Sequence, residues 1–305
     1  MKNPIRIGID LGGSKTEVIA LSHSGGILLR GRVPTVPNDY RATLATIKHL
    51  VEQTERTLKA SCSVGIGTPG AISPDTGLLK NSNSTWLNGK PLQKDIEASL
   101  QRPVRLANDA NCFALSEAID GAARDGHVVF GVIIGTGTGG GIVVGKQLLT
   151  GANAIAGEWG HNPVPWPGAD ELPGPLCYCG KRGCIETFLS GPGLAKEFFN
   201  VTGTQYSAEA IAQQAEAGDV NARAALKRYE IRLAKCLASV INVLDPDVIV
   251  LGGGMSNIER LYHNVPQLWG RYVFSGTVNT RLAAPKYGDS SGVRGAAFLW
   301  QPDKE

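Results

Sequence analysis

Glycine placed directly behind β-rich runs constrains this chain more than any other feature. Ile5–Asp10 leads into Leu11-Gly12-Gly13, Val128–Ile134 into Gly135-Thr136-Gly137-Thr138-Gly139-Gly140-Gly141, and Val248–Leu251 into Gly252-Gly253-Gly254. Such turns expose backbone N–H groups, and without a Cβ the main chain can approach a phosphate closely. After the first two turns another β-branched run follows, Thr16–Ser22 and Ile142–Val144. Both therefore read as hairpins and not as strand-to-helix turns.

The remaining segments fit around these turns. A third strand is expected at Gly26–Val33. A helix follows from about Asp39 to Lys59, with Leu44, Ile47, Leu50 and Val51 on one face. Val64–Gly67 reads as a strand ending at Thr68-Pro69-Gly70. Val104–Leu106 reads as another, leading into Asn108-Asp109 and a helix to about Ala123. Late in the chain a helix over 222–244 precedes Val248–Leu251, and a further helix starts near Ser256. Both halves thus begin strand, Gly-rich turn, strand. This predicts two related α/β domains facing a cleft, with the boundary near Gly121–Gly126.

Composition removes several function classes. With 42% apolar and 19% charged residues the chain can build large cores. A net charge of +3 without a dense Lys/Arg run gives no nucleic-acid surface. No run approaches the roughly 20 apolar residues of a membrane span. Met1–Pro4 runs straight into the first strand without the apolar region of a signal peptide, so a cytoplasmic protein is expected.

The turns themselves are ambiguous. Asp10-Leu11-Gly12-Gly13-Ser14-Lys15-Thr16 lacks the G-x-x-x-x-G-K-[ST] spacing of a P-loop, although an Asp there can hold Mg2+ through water. Gly135, Gly137 and Gly140 match G-x-G-x-x-G, but a strand follows where the NAD fingerprint needs a helix.

His161, Cys177, Cys179 and Cys184 form a Cys3His set. Four protein ligands close a tetrahedral shell, which predicts structural zinc and excludes a zinc hydrolase. Cys62, Cys112 and Cys236 are scattered among apolar neighbours and read as buried hydrophobes. The cluster also draws Glu158 and Glu186 beside His161. Carboxylates only accept hydrogen bonds, so this trio suits sugar hydroxyls. Asn108-Asp109 has two readings: Asp109 as the cap of the following helix, or as a general base.

The three glycine turns look like the two phosphate motifs and the adenosine motif of the actin/hexokinase/heat-shock-protein ATPase fold, and Gly160-His161 with the C-x-C-G-x-x-G-C-x-E run from Cys177 to Glu186 resembles the signature of the ROK family. Within that fold, nearly the whole chain resembles the ROK family of bacterial sugar kinases, repressors and related proteins. The resemblance implies an α/β protein of two ribonuclease H-like domains with an interdomain cleft. The N-terminal domain would span 1–120, rejoined by a C-terminal helix in 290–305, and the C-terminal domain 121–289 would carry the zinc loop.

The same resemblance assigns roles. ATP with Mg2+ would lie against Asp10, Gly12, Gly13, Ser14, Lys15 and Thr16, against Gly135, Thr136, Gly137, Thr138, Gly139 and Gly140, and against Gly253 and Gly254. A hexose would be held by Thr68, Pro69, Gly70, Asn83, Asn108, Glu158, His161 and Glu186, with Asp109 as general base. Segments 80–92, 157–163 and 289–297 look closest to bacterial fructokinases of the manno(fructo)kinase type. That implies phosphorylation of fructose, and also mannose, to the 6-phosphate. An N-acetylglucosamine kinase of the same family is the alternative. ROK repressors carry an N-terminal helix-turn-helix domain, for which a first strand at Ile5 leaves no room. The expected partners are a hexose and ATP, with no nucleic acid and no membrane, and a homodimer stays open.

Overall fold

The computed structural model describes residues 5–300. β1 (Arg6–Leu11), β2 (Lys15–Leu21) and β3 (Ile27–Pro34) form an antiparallel meander. α1 (Tyr40–Leu58) starts on Asp39, whose side chain accepts the Ala42 N–H, and stops at Lys59 in a left-handed conformation. β4 (Ser63–Thr68) then pairs parallel to β1. A small hairpin of β5 (Ala71–Ile72) and β6 (Leu79–Lys80), then α2 (Leu92–Leu100), lead to β7 (Arg105–Asn108), parallel to β4. The sheet order is β3-β2-β1-β4-β7, and α3 (Asp109–Ile119) leaves it.

The second half repeats this plan. β8 (Val128–Ile134), β9 (Thr138–Val144) and β10 (Gln147–Leu148) form the meander. An inserted segment carries α4 (Ile185–Leu189), α5 (Gly191–Thr202), α6 (Ala208–Ala217) and the long α7 (Val220–Leu244). β11 (Val248–Gly252) returns parallel to β8. After α8 (Arg260–Trp269), β12 (Arg281–Ala283) adds beyond it, giving the order β10-β9-β8-β11-β12. α9 (Ser291–Phe298) follows.

Each sheet has its own core. Ile7, Ile9, Val64 and Ile66 pack against Ile47, Leu50 and Val51 of α1. Phe130, Val132, Ile249 and Leu251 pack against Leu226, Tyr229, Leu233 and Leu237 of α7. A third core joins the two sheets through Phe113, Leu115 and Ala118 of α3 and Val293, Ala297 and Phe298 of α9. α3 is buried on nearly every side, which explains why its sequence shows no single apolar stripe. Glycines make this closeness sterically feasible. A Cβ on Gly295 would stand 1.6 Å from the Cys112 carbonyl oxygen, and one on Gly65 would stand 1.9 Å from that of Ala296.

α9 packs on β1, β2, β4 and α3. Residues 301–305 of the expected C-terminal segment, like residues 1–4, lie outside the described residues. Two helix boundaries differ from expectation. α3 ends at Ile119 because the Glu117 carboxylate accepts the Ala122 N–H at 2.7 Å and turns the chain. The segment at Ser256 is a short 3-10 turn, Gly254–Asn257, and α8 begins only at Arg260. Among the described residues no helix is long and apolar enough to cross a membrane.

Candidate active site

The C-terminal ends of β1, β4 and β11 and the start of α3 converge on a cavity of about 240 Å3, whose lining includes Asp10, Gly12, Gly13, Pro69, Asn83, Asp109 and Gly253. Residues from several distant stretches of sequence thus share one space, two carboxylates among them. Burial first, then the charges of Asp109 and Glu17, push the Asp10 carboxyl up to about 7. Asp109 is also raised, mainly by burial; its hydrogen bond from the Ala110 N–H opposes this, and Glu158 adds to it.

The cap of α3 is Asn108 and not Asp109, which corrects one of the two readings of that pair. Asn108 Oδ1 accepts the Ala110 N–H at 2.9 Å, and its Nδ2 donates to the Gly70 carbonyl at 3.2 Å. The Asn108 amide is therefore committed to holding α3 against the 68–70 turn. Thr68 is buried and Gly70 has φ +81°, a left-handed conformation that favours glycine.

The first phosphate turn is braced from behind. Thr16 is fully buried, its hydroxyl 2.9 Å from that of Thr35, and the Thr35 hydroxyl donates to the Gly12 carbonyl at 2.8 Å. Thr16 therefore shapes the turn from inside, while Gly13, Ser14 and Lys15 are exposed. In the second turn, the Gly135 N–H donates to the Gly137 carbonyl at 2.9 Å, and the Thr138 N–H donates to Glu186 Oε2 at 2.9 Å. Thr136 is exposed at the tip, and Gly139 and Gly140 run down β9. A Cβ on Gly160 would stand 1.9 Å from the Thr138 carbonyl, so the turn is seated directly on the 158–161 segment. Gly253 has φ +78°, and Gly254 opens the 3-10 turn beyond it.

Glu158, His161 and Glu186 form a second group beside that cavity. Glu158 lies close enough to raise the Asp109 carboxyl, and His161 and Glu186 act on Glu158 in turn. One oxygen of Glu186 is taken by the Thr138 N–H, so Glu186 ties the second glycine turn to this group. Asn83 is held by its neighbours: the Asn88 side chain accepts the Ser82 N–H and donates to the Ser82 carbonyl, both at 2.9 Å.

The ligand atoms of His161, Cys177, Cys179 and Cys184 all lie within 4.8 Å of one another. Cys177 Sγ is 3.6 Å from His161 Nδ1, and Cys179 Sγ is 3.6 Å from Cys184 Sγ. Tetrahedral zinc with ordinary bond lengths separates sulfur from nitrogen by about 3.6 Å and sulfur from sulfur by about 3.8 Å. The donor set therefore fits zinc in number, type and spacing.

The ROK family pattern matches residues 6–303 of this chain. The chain belongs to the ROK family. It is 38% identical over 301 residues to an N-acetyl-D-glucosamine kinase of Yersinia pseudotuberculosis, covering 97% of this chain and 99% of that protein. A ROK hexokinase from Thermus thermophilus superposes with a TM-score of 0.85 at 28% identity, covering 96% of each chain. A ROK glucokinase from Streptomyces griseus, solved with glucose and AMPPNP, gives 0.76 at 27% identity, covering 97% of this chain and 98% of that one. These ROK relatives favour the N-acetylglucosamine alternative over fructose, correcting the preference for fructokinases of the manno(fructo)kinase type.

Some site features had no legible sequence signal. Lys80 Nζ, on the hairpin of the first half, donates to the Asn153 carbonyl of the second at 3.0 Å, bridging the halves. Tyr178, between two zinc-type cysteines, places its hydroxyl 3.0 Å from His161 Nε2. Its position between ligands was the available clue.

Proposed function

We propose that this ROK sugar kinase transfers the γ-phosphoryl group of ATP to N-acetyl-D-glucosamine at the 6-hydroxyl, with Asp109 as general base. The observation that carries this reading is the shared cavity. Asp109 lines it together with the Gly12-Gly13 turn, Pro69, Asn83 and Gly253. A hydroxyl resting on Asp109 would be aimed at a phosphate lying along the glycine turns, the geometry phosphoryl transfer needs. The relatives' names supply the sugar.

Each residue has a separate task in this reading. One oxygen of Asp109 already accepts the Ala110 N–H, which leaves the other to take the proton of the sugar hydroxyl. The N–H groups of the 12–13 and 135–139 turns carry the phosphates, and Gly253-Gly254 receives the adenosine. Glu158 and Glu186 orient the sugar hydroxyls, and His161 holds the segment that carries Glu158. Mg2+, held through water by Asp10, would neutralise charge on the phosphates. Zinc would be structural, pinning the 158–161 segment to α4. ATP use and a thiolate metal site would suit a cytoplasmic enzyme.

A coupled ADP-release assay tests this with N-acetylglucosamine, glucose, mannose and fructose as acceptors. The expected result is the highest kcat/KM for N-acetylglucosamine. Turnover confined to fructose and mannose would refute the sugar assignment, and ADP release from no sugar would refute the kinase reading.

A further inference from the structure

The geometry points to Tyr178 as the residue that selects an N-acetylated sugar, its hydroxyl donating a hydrogen bond to the acetamido carbonyl. This rests on the N-acetylglucosamine reading above and extends it to a residue outside the Glu158, His161 and Glu186 trio.

The argument starts from hydrogen-bond inventory. An acetamido group presents a carbonyl oxygen, which only accepts. Glu158 and Glu186 as carboxylates also only accept. They can hold the sugar's hydroxyls, but they cannot hold its carbonyl, so a site that prefers the N-acetyl form needs a donor near them.

Tyr178 meets that need. His161 Nδ1 faces Cys177 Sγ at 3.6 Å and belongs to the metal-type donor set. An imidazole that gives the lone pair of Nδ1 to a metal keeps its proton on Nε2. His161 Nε2 therefore donates to the Tyr178 oxygen, 3.0 Å away. The phenolic proton is left free to point outward. The two rings meet edge to face, 5.2 Å between centroids and 87° between planes, which fixes the direction of the phenol. Tyr178 is otherwise 82% exposed, an unusual condition for a large aromatic ring held by one imidazole. Glu186 Oε1 lies 3.9 Å from Sγ of the adjacent Cys177, so a carboxylate borders the turn that carries Tyr178.

The test compares wild type with Tyr178→Phe and Tyr178→Ala. Calorimetric binding of N-acetylglucosamine and of glucose is measured together with kcat/KM for each, and zinc content is checked in every protein. Phe keeps the ring and loses only the hydroxyl. The N-acetyl sugar should bind and react roughly tenfold or more worse relative to glucose, because the carbonyl loses its donor. Zinc content and melting temperature should not change. Ala should give at least the same relative loss. If Tyr178→Phe lowers both sugars equally, or leaves their ratio unchanged in an enzyme that prefers N-acetylglucosamine, the inference on Tyr178 fails and the sugar assignment stands. A wild type without that preference overturns both.

Discussion

Asn108 and Asp109 share one backbone donor: the Ala110 N–H lies 2.9 Å from Asn108 Oδ1 and 2.8 Å from Asp109 Oδ1. The cap at Asn108 does not depend on Asp109, so the carboxylate can be altered without uncapping α3. Asp109→Asn should leave the melting temperature close to wild type while lowering kcat by on the order of 10²–10⁴. Asn108→Ala should cost about 1 kcal/mol of stability. A folded Asp109→Asn enzyme that keeps more than roughly a third of wild-type kcat would remove Asp109 from the role of base.

The pH dependence of turnover follows from the same carboxyl. Burial first, and Glu158 in addition, hold Asp109 above its ordinary value of 3.8 despite the opposing hydrogen bond from Ala110. A base must be ionised to accept a proton, so activity is lost as pH falls through the raised value. The acid limb of the kcat/KM profile should lie clearly above 3.8 and vanish in Asp109→Asn. A limb in the ordinary carboxylate range would contradict this environment.

Asp10 gives a stability prediction of the opposite kind. Its carboxyl rises from 3.8 in the unfolded chain to about 7 in the fold, through burial, Asp109 and Glu17. Between those values the folded protein binds more protons than the unfolded one, so stability falls as pH rises through that window. Melting curves without magnesium or nucleotide should show that decline. Asp10→Asn, with no carboxyl to ionise, should flatten it. Parallel curves for the two proteins would mean that Asp10 is solvated like an ordinary carboxylate.

Metal removal should separate the two kinds of cysteine. Purified protein should hold about one zinc per chain, since four donors fill the shell. Cys179→Ser should lose it and melt lower, because Cys179, His161 and Cys184 then cannot anchor the 158–161 segment under the phosphate turn. Cys62 is buried in the core of the first half, away from the cluster, and Cys62→Ala should keep its zinc. Full activity and an unchanged melting curve in zinc-free wild type would refute a structural metal.

The parts of this molecule that the sequence displays are those where one local rule acts alone. Val128–Ile134 alternates with its turn and partner strand, so β8 and β9 are readable without tertiary information. Four metal-type side chains near one another name a cluster before any fold is known. α3 is harder, because packing on both faces erases its period, and its end at Ile119 is set by Glu117 reaching Ala122. The division of labour between Asn108 and Asp109 depends on which oxygen reaches Ala110, a matter of backbone angle that adjacent residue letters do not encode. Thr16 looked like a phosphate ligand because of its neighbours, yet strand alternation turns it inward onto Thr35. Lys80 and Asn153 meet across 73 residues of sequence, and no local pattern anticipates that.

Glu117 marks where those two halves are sewn together. Its side chain is fully buried. Its oxygens accept the Ser291 hydroxyl at 2.6 Å, the Ala122 N–H at 2.7 Å and the Lys286 N–H at 3.1 Å. The donors come from the end of α3, from the segment after β12 and from the start of α9, so one carboxylate holds the path by which the chain leaves the second sheet and returns to the first. Glu117→Ala would take the acceptor from three donors, of which Ser291 is fully buried, and an unpaired buried donor costs about 1–3 kcal/mol. The loss in unfolding free energy should reach about 3 kcal/mol or more by urea titration. Glu117→Gln keeps the shape but turns one acceptor into a donor facing other donors, so it should recover only part of that loss. A Glu117→Ala protein destabilised by less than about 1 kcal/mol would show that water replaces the carboxylate and that the junction is open to solvent.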